Sequence, residues 1–301
     1  MKLYLFDDDV ADTWHPFSLT RPCSELLFGT SLLRERLERF AGRPTTSVLS
    51  RPWLEAYQEG DAPNVIARGP LPADEERLLM SSRFVPSAEA RFEGRGDRPV
   101  LLTTDDEVVG CYLPAGTAGP EQGWLETPDE GIAGAAWETR SIDGGYVDTA
   151  WRFVAENPGR LAADLASEAA SRGGVNELPE GTWKLGSHAL ILDSDVRVEP
   201  GVVFDARNGP VRLADRVEVR AGCRLEGPLF VGPATVLLGG AIGTSSIGPV
   251  CRLRGEIEDC VVLGFANKAH DGFLGHSYLG RWVNLGAMTT NSDLKNTYGP
   301  V

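Results

Sequence analysis

The chain has 301 residues, 29 lysines and arginines against 43 aspartates and glutamates, and a net charge of −14, so it lacks the basic face that nucleic-acid phosphates require. Its length allows two domains with real cores. Five cysteines, odd in number and without a CxxC pair, indicate neither a disulfide framework nor a Cys-based zinc site, and no apolar run nears the ~18 residues of a membrane span. A soluble cytoplasmic protein with reduced thiols is expected.

Lys2 to Phe6 reads as a buried strand ending in Asp7-Asp8-Asp9, and residues 24–40 read as a helix holding Leu26, Leu27, Leu32, Leu33, Leu37 and Phe40. A strand, a loop and a helix open an α/β domain. Residues 46–49 and 64–67 supply further strands, and residues 99–104 and 107–112 flank Asp105-Asp106 as a hairpin. Residues 148–170 are helical, with a fresh start at Asn157-Pro158, because proline suits the first turn of a helix. The predicted domains are 1–147, an α/β unit; 148–177, a helical linker; and 178–301, a solenoid.

The solenoid is predicted from a period. Leu213, Val219, Leu225, Val231 and Leu237 are apolar at intervals of six, a spacing that suits a parallel β-helix of hexapeptides in which each short strand sends one side chain inward. Ile242, Ile247 and Leu253, then Leu274, Leu279 and Leu285, continue the pattern, with Gly264 to Gly272 as an interruption. Glycines such as Gly222, Gly239 and Gly248 are expected at the corners. At ~18 residues per three-sided coil this gives six or seven coils. A sandwich of antiparallel strands is the weaker alternative, since it leaves the run of sixes unexplained. No polar cap follows Tyr298-Gly299-Pro300-Val301, so a partner covering that end, or a chain truncated there, is expected.

Titratable groups concentrate between Asn267 and Asn296: His270, His276, Lys268, Lys295, Arg281, Asp271, Asp293 and Asn284. Such density on a rigid coil marks a site. The stretch Ala269-His270-Asp271-Gly272-Phe273-Leu274-Gly275-His276-Ser277-Tyr278-Leu279-Gly280, with Asn284 and Gly286-Ala287 after it, resembles the acetyltransferase half of bifunctional bacterial UDP-N-acetylglucosamine pyrophosphorylase/glucosamine-1-phosphate N-acetyltransferase. More closely, the whole chain resembles a branch of sugar nucleotidyltransferases with the same two-domain layout.

The resemblance implies a left-handed β-helix working as a homotrimer, with acetyl-CoA and an amino-sugar phosphate bound between subunits. It places His270 on the catalytic base and Asn284 on a substrate-binding asparagine. An imidazole suits the chemistry, because an amine must lose a proton as it attacks the thioester. Lys268 and Lys295, assigned by charge, are expected to hold phosphate. Phe273 replaces a tyrosine of the family's sugar-phosphate pocket and Met288 a glycine of the GAG turn.

In the front half, Pro16 to Pro22 resembles the segment of sugar nucleotidyltransferases that leads into their Pro-Lys pair, with Cys23 in place of the lysine and Asp7-Asp8-Asp9 in place of the glycine-rich phosphate loop. Asp7 and Asp8 are candidate Mg²⁺ ligands, and Arg21 and Asn64 candidate nucleotide contacts. The expected partners are a sugar phosphate and a nucleotide. Two other readings stand beside the transferase. One is a zinc β-helix enzyme of the γ-carbonic-anhydrase type, with His270 and His276 on one face; the other is a sugar-nucleotide-binding or assembly protein without turnover.

Overall fold

The computed structural model describes every residue except 95, 106, 129–136, 176 and 293–301. The chain forms two compact units, Met1–Leu26 with Ser31–Ala150, and Leu27–Thr30 with Trp151–Val301.

In the first unit the apolar run of Lys2–Phe6 lies inside a seven-stranded sheet. Its strand order is Glu138–Ser141, Val100–Thr104, Glu107–Leu113, Arg77–Ser81, Lys2–Phe6, Thr45–Ser50, Asn64–Ala67. Neighbours are parallel except Glu107–Leu113, which runs antiparallel to both of its own. Side chains alternate between the faces of a strand. Leu3 and Leu5 therefore join Leu37, Phe40 and Val48 in one core, while Tyr4 and Phe6 join Leu49, Trp124 and Leu125 in the other. Burial on both faces explains why the strand reads as continuously apolar. The unit has a Rossmann-like mixed sheet, and the predicted hairpin turns at Asp105.

The helix expected over residues 24–40 spans only Leu33–Ala41 and ends on Gly42 in the left-handed region, φ 66°, a common helix stop. Upstream, Gly29 at φ 64° diverts the chain from a helical path.

In the second unit the predicted linker is largely helical, as Arg152–Ala155 and Asn157–Arg172. It is not a spacer, however: Leu161 and Leu165 bury themselves against Ala214 and Phe230 of the solenoid. Among the described residues no helix is long and apolar enough to cross a membrane.

The solenoid is a parallel β-helix of three sheets holding six, six and five strands. One face stacks Trp183–Leu185 through to Phe273–Gly275, the next Leu190–Leu192 through to Tyr278–Leu279, and the third Arg197–Val198 through to Asn267–Lys268. The run of sixes steps round these faces. Leu213, Val219, Leu225, Val231 and Leu237 lie on successive sheets, and none exceeds 1% exposure.

Corners use glycine less uniformly than expected. From the second face to the third the chain turns through Asp195, Arg216, Ala234, Val250, Phe265 and Trp282, all non-glycine at φ from 52° to 65°. Gly248 answers a different demand: a Cβ there would lie 2.4 Å from the Leu263 carbonyl oxygen of the next coil.

Candidate functional site

Four parallel strands of the first unit end on one edge of the sheet, where α/β folds commonly bind ligands. There Lys2–Phe6 runs into Asp7-Asp8, Thr45–Ser50 into Arg51, Asn64–Ala67 into Arg68, and Arg77–Ser81 into Ser82-Arg83. The carboxylates and guanidiniums pair with each other. Asp8 accepts from Arg83 Nε at 2.8 Å and Nη2 at 2.7 Å, from the Tyr146 hydroxyl at 3.2 Å, and from the backbone N–H of Ala11 at 2.9 Å, which caps the short helix Asp9–Asp12. Arg83 also donates to the Val147 carbonyl at 2.9 Å and lies 4.0 Å from the centre of the Tyr146 ring. Asp12 takes both Arg51 and Arg68.

Asp7 is fully buried and accepts from the Ser50 hydroxyl at 2.6 Å and the Cys23 N–H at 3.2 Å. Burial pushes its carboxyl above the usual aspartate range. Cys23 is 1% exposed, and burial raises its thiol well above the ordinary value. A buried neutral thiol is neither a phosphate contact nor a nucleophile.

These pairings revise three expectations. Asp7 and Asp8 do not fit Mg²⁺: the Arg83 guanidinium occupies both oxygens of Asp8 and would repel a cation, and the Asp7 oxygens are turned to Cys23 and Ser50. Among the described residues no three His, Cys, Asp or Glu side chains converge for a metal. Arg21, expected as a nucleotide contact, is nearly buried and donates to Glu59 at 2.6 Å. Asn64 is exposed, but as the first residue of its strand it lies at the opposite end from the edge where Arg68 emerges. What the edge leaves open is a cleft of about 540 Å³ lined by Asp8, Arg83, Glu107, Glu126, Tyr146 and Asp148 among others. It offers carboxylate acceptors and a phenol, groups suited to a polyhydroxylated ligand.

In the solenoid the cluster read from sequence resolves into a corner of four residues, 269–272, between the strands Asn267–Lys268 and Phe273–Gly275. Lys268 does not face solvent as a phosphate contact. It pairs in register with Leu253 of the coil before, in the column that also holds Val219 and Leu237, and it is 1% exposed. Its ammonium donates to three backbone carbonyls, Arg254 at 2.9 Å, His270 at 3.1 Å and Gly272 at 2.9 Å. Burial lowers its pKa, and the carbonyls offset part of the cost of removing a charge from water. The interruption expected at residues 264–272 is therefore no loop leaving the coil. Val262, Lys268 and Leu274 keep the interval of six, with a lysine filling an apolar place.

His270 is exposed on this corner, and its ring makes no hydrogen bond among the described residues. The backbone around it is held from several sides. Beyond the Lys268 contacts, the Asp271 carbonyl accepts from Met288 N–H at 3.0 Å, and the Asp271 carboxylate accepts from Arg254 Nε at 3.0 Å. Met288 sits at φ 60°. Asn284 is exposed and accepts from the Asn267 amide at 2.5 Å, one rung of a short asparagine ladder. Lys295 lies outside the described residues.

His276 occupies the next corner, 3.5 Å from Asp259. Six residues advance the chain by one face, not one coil, so His270 and His276 do not share the face that a zinc site on this pair would need.

Sequence reasoning missed the strand-end arginines Arg51, Arg68 and Arg83, although each follows its strand by one or two residues, a signal visible in the order of residues. The family model for sugar nucleotidyl transferases matches residues 3–172, more than half of the chain and all of the mixed sheet but Lys2. The chain belongs to the sugar nucleotidyl transferase family.

Proposed function

We propose that the protein is a transferase of amino-sugar nucleotide synthesis whose β-helix moves an acetyl group from acetyl-CoA to the amine of a sugar phosphate such as glucosamine-1-phosphate. The observation that carries this reading is the exposed His270 imidazole on a corner pinned by Lys268, Arg254 and Met288. As the amine nitrogen attacks the thioester carbonyl, the histidine takes its proton. The carbon–sulfur bond then breaks, and the CoA sulfur leaves with that proton. Asn284 would bind substrate, and a homotrimer would complete the site.

The test is release of free CoA thiol from acetyl-CoA and glucosamine-1-phosphate. His270→Ala should lower turnover by about 10² to 10⁴, the usual weight of a general base. Turnover unchanged in that variant sinks the role of His270, and none in the natural chain sinks this acceptor.

A second reading concerns the α/β unit, and the arginine–carboxylate pairing favours it. The pairs of Asp8 with Arg83 and of Asp12 with Arg51 and Arg68 fill the edge where nucleotide phosphates would be cradled. The unit would then bind a sugar nucleotide in its cleft without forming one. Equilibrium dialysis with UDP-sugars, beside a pyrophosphate-release assay with UTP and sugar-1-phosphate, separates the two. Binding without pyrophosphate supports the reading, and pyrophosphate release overturns it.

A further inference from the structure

A lysine in the apolar column of a β-helix needs a physical reason. The columns inside this solenoid are otherwise apolar, chiefly leucine, isoleucine and valine with Phe204 in one, and Lys268 is flanked in its own by Leu253. An apolar side chain there would fit the period, as Val219, Leu237 and Leu253 do. The corner that follows is wider than the one in the coil beneath, and as long as the corner that follows Val198 at the start of the same column. After Leu253 two residues, 254 and 255, lead to the next strand at Glu256, whereas after Lys268 four residues, 269–272, lead to Phe273. The wider corner turns the carbonyls of His270 and Gly272 inward, together with that of Arg254 beneath, and the ammonium meets all three.

We infer that Lys268 is a positioning residue for His270: its buried ammonium ties the corner to itself and to the coil below, so that the imidazole is presented from a fixed backbone. The inference rests on the acetyl-transfer reading. The geometry suits it, because three donors on one nitrogen meet three carbonyls at one corner; that of Gly272 also accepts from the Glu256 N–H at 3.2 Å, and those of Arg254 and His270 gain a charged donor. The fit is close. A Cβ on Gly255 would come within 2.9 Å of the Lys268 nitrogen and 2.5 Å of the Gly272 oxygen, so glycine at 255 leaves the space that this contact occupies. Lys268 itself never reaches substrate; it acts through the histidine two residues on.

The test combines kinetics with a readout that does not need turnover. Lys268→Met removes the donors while keeping an unbranched chain. Its kcat should fall about 10- to 100-fold with KM nearly unchanged, since misplacing a catalytic group by an ångström costs rate on that scale. In a His270→Ala background the same substitution should cost nothing further, whereas general destabilisation would lower the residual rate as well. Hydrogen exchange at the amides of residues 269–272 should accelerate in Lys268→Met, while those of residues 229–231 stay as protected as in the natural chain.

Lys268→Gln, which keeps two donors without the charge, should lie between the two in rate and protection, and it carries the same test if Lys268→Met does not fold. Unchanged exchange at the corner in a folded variant overturns the inference whatever the activity. If the natural chain releases no CoA, the acetyl-transfer reading falls by itself, and exchange still decides whether Lys268 holds the corner.

Discussion

The strand-end edge of the α/β unit and the His270 corner of the solenoid treat charge in opposite ways. At the edge, Asp8 and Asp12 meet Arg83, Arg51 and Arg68, so each buried charge is answered by its opposite and little is left for a ligand. At the corner, a buried ammonium is answered by neutral carbonyls and a histidine ring stays exposed. The first arrangement consumes functional groups, and the second places one. In a chain of the sugar nucleotidyl transferase family, this contrast is what the proposed acetyl transfer on the β-helix and the proposed ligand binding in the cleft beside Asp8 rest on.

The largest effect that would sharpen this contrast belongs to Arg83. Arg83→Leu leaves the Asp8 carboxylate buried without its guanidinium, and breaking a buried pair by removing one partner costs about 3–5 kcal/mol. Urea unfolding of the variant should show that loss. A stability unchanged within error would mean that the edge charges are not held by one another, and the cleft would then have an arginine free for phosphate.

A smaller loss is expected from Gly255→Ala at the corner. The position has φ 102°, outside the range comfortable for alanine, and the added methyl would press on the Gly272 oxygen and the Lys268 nitrogen. Backbone strain of this kind costs about 1–3 kcal/mol. Thermal unfolding measures it. Full stability in the variant would show slack in the stack and weaken the argument that the corner is fixed.

How much of this could be read in advance follows from what each signal depends on. The solenoid was legible because Leu213 to Leu237 repeat at six, and the repeat is dictated by which side chain must point inward. The same rule hid Lys268, because a search for apolar residues treats a lysine as a break, whereas the backbone asks only that the inward side chain satisfy its surroundings. The strand-end arginines were hidden for a related reason: local order shows that Arg51, Arg68 and Arg83 follow strands, but their pairing depends on which strands are neighbours, and sheet order is a tertiary fact. His276 misled because two histidines six apart were placed on one face, when six residues are the step from one face to the next. The helix expected from residue 24 ran too early because the leucines before Gly29 serve packing outside any helix.

The edge makes one further, gentler claim, about the sign of a pH dependence. Asp7 lies beneath the arginine pairs with no guanidinium on its own oxygens in hydrogen-bond range; it has the Ser50 hydroxyl and the Cys23 N–H, and burial raises its carboxyl above the ordinary value of 3.8. A carboxyl whose pKa is higher folded than unfolded keeps its proton longer in the native state. Its contribution to stability is therefore full below the unfolded value of about 3.9 and is lost as pH rises through the folded one. Asp7→Asn removes that titration. Relative to the natural chain, the variant should gain stability as pH rises from about 4 toward neutrality, on top of a constant loss from the altered bond to Ser50. Urea midpoints of both proteins across this range give the difference directly. A gap that stays level with pH, or widens against the variant, would mean that Asp7 is ionised at least as easily in the fold as outside it, and that the nearby Arg51 charge and the two hydrogen bonds offset its burial.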